Sequence, residues 1–175
     1  ISLPSFFLGM MMILLFAVNL QWLPVSGMYA IYGGGDFLDL IHHLIMPAIA
    51  LALVATGVVA RITRNSVLEI LRQDYIRTAR AKGVREGNVL FKHVLRIAIV
   101  TILPILGLQA GFVLSGSVFI EIVFQWPGVG RMLVDAILKR DILLVQGGVM
   151  FVAACYVLFN IAVDLLQRYL DPRIK

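Results

Sequence analysis

Charge-free apolar runs alternate with short charged intervals along this chain, and the run lengths predict its elements. Residues 5–23, 40–60, 97–120 and 142–163 contain no Asp, Glu, Lys or Arg and run 19, 21, 24 and 22 residues. About 20 residues rising 1.5 Å each cross roughly 30 Å of hydrocarbon. Each run therefore predicts one membrane-spanning helix. A span must satisfy its own backbone hydrogen bonds in lipid, so the expected fold class is all-α membrane, with four spans. Pro47 lies near the start of one span and Pro104 well inside another, where a missing donor can kink a helix.

The interval 61–96 breaks the pattern. It holds nine of the fifteen basic residues (Arg61, Arg64, Arg72, Arg77, Arg80, Lys82, Arg85, Lys92, Arg96) against Glu69, Asp74 and Glu86. Lys and Arg resist translocation, so this interval is expected in the cytoplasm. The tail 164–175, with Arg168, Arg173 and Lys175, then falls on the same side. The interval 24–39, carrying Asp36 and Asp39 and no basic residue, falls outside, and Trp22 and Trp126 fall at the outer interface.

Composition narrows the classes. At 61% hydrophobic and 14% charged, the chain lacks the polar surface a soluble domain of 175 residues needs. A net charge of +5 could suit a polyanion. Placed beside spans, however, the charge sets orientation and meets anionic headgroups, which points to membrane lipid and not to nucleic acid. Cys155 is the only cysteine, so an intrachain disulfide is excluded and a small packing role is expected. The chain opens on Ile1 without the basic n-region of a signal peptide, which reads as an N-terminally truncated piece of a longer protein.

Within the basic interval, Leu68, Leu71, Tyr75, Thr78 and Lys82 follow i, i+3, i+4 spacing, with Ile76 and Ala79 widening the face. Gly83 supplies a left-handed terminating position and Gly87 a second weak point, so the expectation is helix, break, a short helix over 86–95, then membrane. Two readings of such a helix stay open: it docks a soluble partner and passes a push to the spans, or it rests on the membrane surface.

Catalytic and metal chemistry find little purchase. His42 and His43 point about 100° apart on a helix, so an interfacial or capping role is expected and not a shared metal. His93 has no nucleophile pattern around it, and Gly33-Gly34-Gly35 lacks the Lys and Ser/Thr of a phosphate loop. An ion-coupled secondary transporter, the alternative function, would place ionisable residues deep in the membrane, and the span interiors have none. A membrane-embedded hydrolase would need a nucleophile–base pair, which this sequence does not offer. Asn19, Gln109 and Asn160 suit interhelical hydrogen bonds. Gly107, Gly111 and Ser115 recur every four residues on one helix face, with Gly116 beside them. Close helix packing is their first reading and a place on a substrate pathway the sharper one.

Several segments also carry a resemblance. Leu3-Pro4-Ser5-Phe6-Phe7-Leu8-Gly9, Leu68-Glu69-Ile70-Leu71-Arg72-Gln73-Asp74-Tyr75, Thr78-Ala79-Arg80-Ala81-Lys82-Gly83 and His93-Val94-Leu95-Arg96 stand in order, followed by Glu121-Ile122-Val123-Phe124-Gln125-Trp126-Pro127-Gly128-Val129-Gly130 and Leu170-Asp171-Pro172-Arg173-Ile174. Across essentially the whole chain, the sequence resembles the inner-membrane permease of bacterial binding-protein-dependent ABC importers. Within these it resembles the B-type subunit of the dipeptide, oligopeptide and nickel branch. The resemblance implies a type I ABC importer (MetI-like) permease domain over 1–175, placed in the bacterial inner membrane.

The resemblance also implies a set of partners: a second homologous permease, cytoplasmic ATP-binding subunits and an extracytoplasmic substrate-binding protein. ATP and Mg would be held by the ATP-binding subunits, and this chain would carry no cofactor, metal or catalytic residue. Asp74, Tyr75, Ala79, Ala81, Gly83, Glu86, Leu90, His93 and Leu95 would form the ATPase-coupling loop, with the short helix after Gly83 docking. Short peptides are the implied cargo; nickel chelates, glutathione and oligosaccharides are handled by near relatives. The chain departs from the broad importer pattern in having Arg77-Thr78-Ala79 for Glu-Ala-Ala and Arg96 for a closing proline. Arg85 also replaces a small polar residue that could cap the short helix.

Overall fold

The computed structural model describes residues 4–30 and 35–170, and every regular element among them is a helix. Helix α1 (Ser5–Met12) passes into a π-helical stretch, Ile13–Asn19. Then come α2 (Phe37–Leu71), α3 (Asp74–Ala81) and α4 (Glu86–Asn88), which runs through a π-helical stretch, Val89–Val94, into α5 (Leu95–Val123). Helices α6 (Val129–Leu138) and α7 (Ile142–Leu170) complete the described chain. Gly33, Gly34 and the tail 171–175 lie outside the described residues.

Three helices are long and apolar enough to cross a bilayer: Phe37–Leu71, Glu86–Val123 and Ile142–Leu170, of 35, 38 and 29 residues. The remaining expected span, 5–23, is a shorter apolar helix, Ser5–Asn19, which reaches about 22 Å at α-helical rise. Only 22%, 17% and 6% of the apolar windows of the three long helices are buried within the chain. Most of their surface is therefore left for lipid or for other helices.

The long helices overrun their charge-free cores. Hydrocarbon thickness limits the apolar length, but nothing in the i→i−4 ladder stops at the headgroups, and charged side chains reach water from a continuing helix. Thus α2 continues through Arg61, Arg64 and Glu69, and much of the interval 61–96 is helical. Pro47 and Pro104 sit inside α2 and α5 without interrupting either.

The chain divides into two compact units, Ile1–Thr56 with Gly111–Tyr156, and Gly57–Ala110 with Val157–Lys175. In the first, Ala17, Met46, Ala50, Ile120 and Phe124 form a buried cluster. Gly9 admits the Phe124 ring, which would lie 3.1 Å from a Cβ there. The start of α2 is tied to the preceding loop by its polar groups. Asp39, in the first turn of α2, accepts the Ala30 N–H at 2.8 Å. The buried His43 donates from Nδ1 to the Asp39 carbonyl at 2.9 Å, and His42 donates from Nε2 to the Trp22 carbonyl at 3.1 Å. Among the described residues no three His, Cys, Asp or Glu side chains could hold a metal ion. The second unit is organised around Ile70, Ile76, Val89, Val94, Ala98 and Ile102.

Candidate functional site

The second unit holds the segment the sequence singled out, and its geometry is set by a few residues. Helix α2 ends in a turn in which the Arg72 and Gln73 N–H groups donate to the Glu69 and Ile70 carbonyls, at 3.2 and 3.1 Å. Gln73 is extended, at φ −72° and ψ 146°, so α3 begins at Asp74 on a new axis. Asp74 suits the helix N-terminus electrostatically, pairs with Arg77 at 3.6 Å, and its carbonyl accepts the Thr78 hydroxyl at 3.0 Å. Ile76 is fully buried and fixes α3 to the apolar cluster from α2 and α5.

The expected stop lies at Gly83, whose φ is +75°. The Val84 N–H reaches back to the Ala79 carbonyl at 3.2 Å and the Gly83 N–H to the Arg80 carbonyl at 2.9 Å, the paired bonds of a Schellman turn. Val84 packs on the apolar cluster beyond it. A Cβ on Gly83 would meet nothing within 4 Å, so positive φ and not crowding requires glycine here.

Beyond Gly83 the chain departs from the expectation. No separate short helix stands over 86–95; Glu86–Asn88 leads without a break into the long helix ending at Val123. Gly87 keeps helical backbone, because one glycine costs a helix only about 1 kcal/mol. The short free-standing helix is α3, on the other side of the turn. Arg85 provides no side-chain cap at the start of α4.

The coupling residues implied by the resemblance thus divide. Asp74, Tyr75, Ala79, Ala81 and Gly83 belong to α3 and its terminating turn, whereas Glu86, Leu90, His93 and Leu95 line the head of the following long helix. The apolar face is also rotated from the expected one. Leu68 and Tyr75 are exposed, Ile76 is the buried centre and Ala79 is half-buried. Tyr75, Leu90 and Phe91 leave apolar surface open to solvent. Among the described residues, only Arg77 and Arg80 of the nine basic side chains form ion pairs. A partner for this surface would combine acidic groups with apolar contact.

One link crosses the turn. The Arg80 guanidinium grips both carboxylate oxygens of Glu86, Nε donating to Oε2 at 3.1 Å and Nη2 to Oε1. The hydrogen bond to that carboxylate raises the guanidinium pKa above its already high ordinary value. Sequence reasoning missed the pair, because residues six apart across a glycine turn follow no helical spacing.

The small-residue face on α5 serves two ends. Within the second unit, a Cβ on Gly107 would lie 2.7 Å from Asn160 Oδ1. Within the first, one on Gly111 would lie 3.3 Å from the Tyr156 ring. Both glycines admit α7, as helix packing requires. Ser115, whose hydroxyl donates to the Gly111 carbonyl at 3.0 Å, lines an apolar cleft of about 560 Å³ with Glu121 and Tyr156.

Known proteins are similar to this chain over its whole length. The di/tripeptide transport system permease protein DppB of Pseudomonas aeruginosa is 44% identical over 192 residues, covering 99% of this chain and 57% of that protein. The oligopeptide transport system permease protein AppB of Bacillus subtilis is 40% identical, over 100% of this chain and 55% of its own length. The glutathione transport system permease protein GsiC of Pectobacterium atrosepticum is 42% identical, over 100% and 54%. The chain spans about half the length of these relatives. The sequence model for the inner membrane component of binding-protein-dependent transport systems matches residues 1–175. With its membrane-length helices and this match over its whole length, the chain belongs to that family of inner-membrane transport components.

Proposed function

We propose that this chain is the membrane-spanning permease part of an ATP-driven importer, and that its cargo is short peptides. The observation that carries the reading is α3: an eight-residue helix pinned by Ile76, ended by the left-handed Gly83 turn and feeding a 38-residue apolar helix. A push on α3 would reach the membrane through the rigid ladder of that helix. The excess of cations around α3, most of them without an ion pair among the described residues, supports a cytoplasmic position for the segment, and for the C-terminal tail with it. The names of the relatives support peptides as cargo.

In this reading the docked partner is a cytoplasmic ATP-binding subunit that holds ATP and Mg, with the coupling contact moved from the residues after Gly83 to α3 itself. A second, homologous permease shares the pathway, and an extracytoplasmic binding protein delivers the peptide. ATP binding and hydrolysis move α3, and the long helices alternate access.

The test is uptake of a labelled dipeptide into proteoliposomes holding the full-length subunit with all these partners. Uptake should require hydrolysable ATP and persist when ionophores collapse every ion gradient. Uptake driven by a gradient without ATP would overturn the reading.

A further inference from the structure

We propose that the Arg80–Glu86 bridge is a brace across the Gly83 turn, positioning α3 against the head of the helix Glu86–Val123 so that the two move together. The proposal rests on the coupling role given to α3 above and adds the part that keeps a push from being lost.

The need for a brace arises from the turn. Gly83 is the one residue between the helices with left-handed backbone, and open space surrounds it. Glycine has the least restricted backbone of all residues, so a displacement of α3 could be absorbed there by rotation. Ile76 is the one buried side chain of α3 and Ala79 is half-buried, so side-chain packing holds the helix chiefly at one point. The bridge adds a second. Arg80 stands in the last turn of α3 and Glu86 opens the next helix, so each charge suits its own helix end. Two parallel hydrogen bonds from a planar guanidinium fix direction as well as distance, which a single ammonium contact does not.

Exposure decides where the effect of the bridge is felt. The two side chains are 42% and 66% exposed, and exposed ion pairs add little to overall stability. The bridge is therefore expected to act on the yield of transport per ATP and not on folding. It is also selective. Arg72, Lys82, Arg85 and Lys92 form no ion pair among the described residues, yet the carboxylate is gripped by the one cation that spans the turn.

The experiment uses the assembled transporter with the full-length subunit, measuring labelled dipeptide uptake and ATP hydrolysis in the same proteoliposomes. Arg80→Glu and Glu86→Arg should each lower peptide moved per ATP severalfold, with the subunit inserted at normal level. The double reversal should recover most of the loss, and Arg80→Lys, which keeps the charge without the fork, should fall between. Arg80→Gln carries the same test should a reversal lower insertion. A normal ratio in either single reversal, or no recovery in the double, overturns the brace. A cross-link from Ala81→Cys to the ATP-binding subunit separates the two ideas. With the cross-link present and the ratio unchanged, the brace alone falls. With the cross-link absent, the coupling role of α3 falls and takes the brace with it.

Discussion

Two short helices in this chain, α3 and α6, each lie between longer ones, and they are held in opposite ways. Helix α3 is fixed by one buried side chain, an open glycine turn and a solvent-exposed ion pair. Helix α6 is wedged. The Glu121 carboxylate, from the end of α5, accepts the Arg131 N–H at 2.8 Å in the first turn of α6. Gly128 and Gly130 leave room for it: a Cβ on Gly128 would collide with the Glu121 carboxyl group. One on Gly130 would lie 2.7 Å from Val118 Cγ2 and 3.0 Å from its Cα. Even the turns differ. Those flanking α6 close with the same paired hydrogen bonds as Gly83, but Gln125 and Arg140 take the left-handed position at φ 52° and 57°. Non-glycine residues held there are strained, and the surrounding contacts must impose the conformation. Helix α6 is thus locked by packing, whereas α3 is left movable and steered by a few specific contacts.

Substitutions can break this contrast, and the largest effect should be at Ile76. Ile76→Ala removes a fully buried side chain and should cost about 2–5 kcal/mol of local stability. Hydrogen exchange should quicken in α3 while α6 stays protected. Equal quickening in both would show that they are not independently held.

Next, Gly130→Ala forces a methyl group into backbone as well as side chain, and overpacking of this kind costs about 1–3 kcal/mol. Reduced yield of inserted permease is the expected result. Gly83→Ala meets no atom and should cost about 1 kcal/mol through φ alone, with normal yield. Gly83→Asn, which tolerates left-handed backbone, should cost less still. If Gly83→Ala lowered yield as much as Gly130→Ala, the open turn would be refuted.

A smaller effect sharpens the account of α6. Glu121→Ala removes an acceptor from the helix N-terminus and should cost about 1 kcal/mol, as other lost caps do. Glu121→Gln keeps an acceptor oxygen and should retain most of that stability, measured as the midpoint of thermal unfolding in detergent. Equal loss in both variants would mean that the negative charge, and not the hydrogen bond, holds α6.

The legible and illegible parts of this molecule separate along physical lines. The long apolar helices were legible because hydrocarbon thickness writes itself into run length, although a run marks the apolar core and not where the helix ends. Gly83 was legible because positive φ carries a residue signature. The apolar face of α3 does not continue the single periodic series from Leu68 to Lys82, because the extended Gln73 resets the phase within it. Helix α6 went unforeseen, although Val129, Met132, Leu133, Ala136 and Ile137 follow helical spacing after Gly128. The Arg80–Glu86 and Glu121–Arg131 contacts cross turns and obey no period, so only the folded backbone brings them together.

The most direct test of the central claim, that α3 faces the cytoplasm and meets the ATP-binding subunit, is the location of a single thiol at position 81. With Cys155 and any cysteine outside residues 1–175 replaced by Ser, and Ala81 by Cys, in the full-length protein, an impermeant maleimide should leave the thiol unmodified in intact cells with a permeabilised outer barrier. In inside-out vesicles stripped of the ATP-binding subunits it should react, and rebinding of those subunits should protect it. Labelling in the intact cells, or no protection on rebinding, would contradict the account.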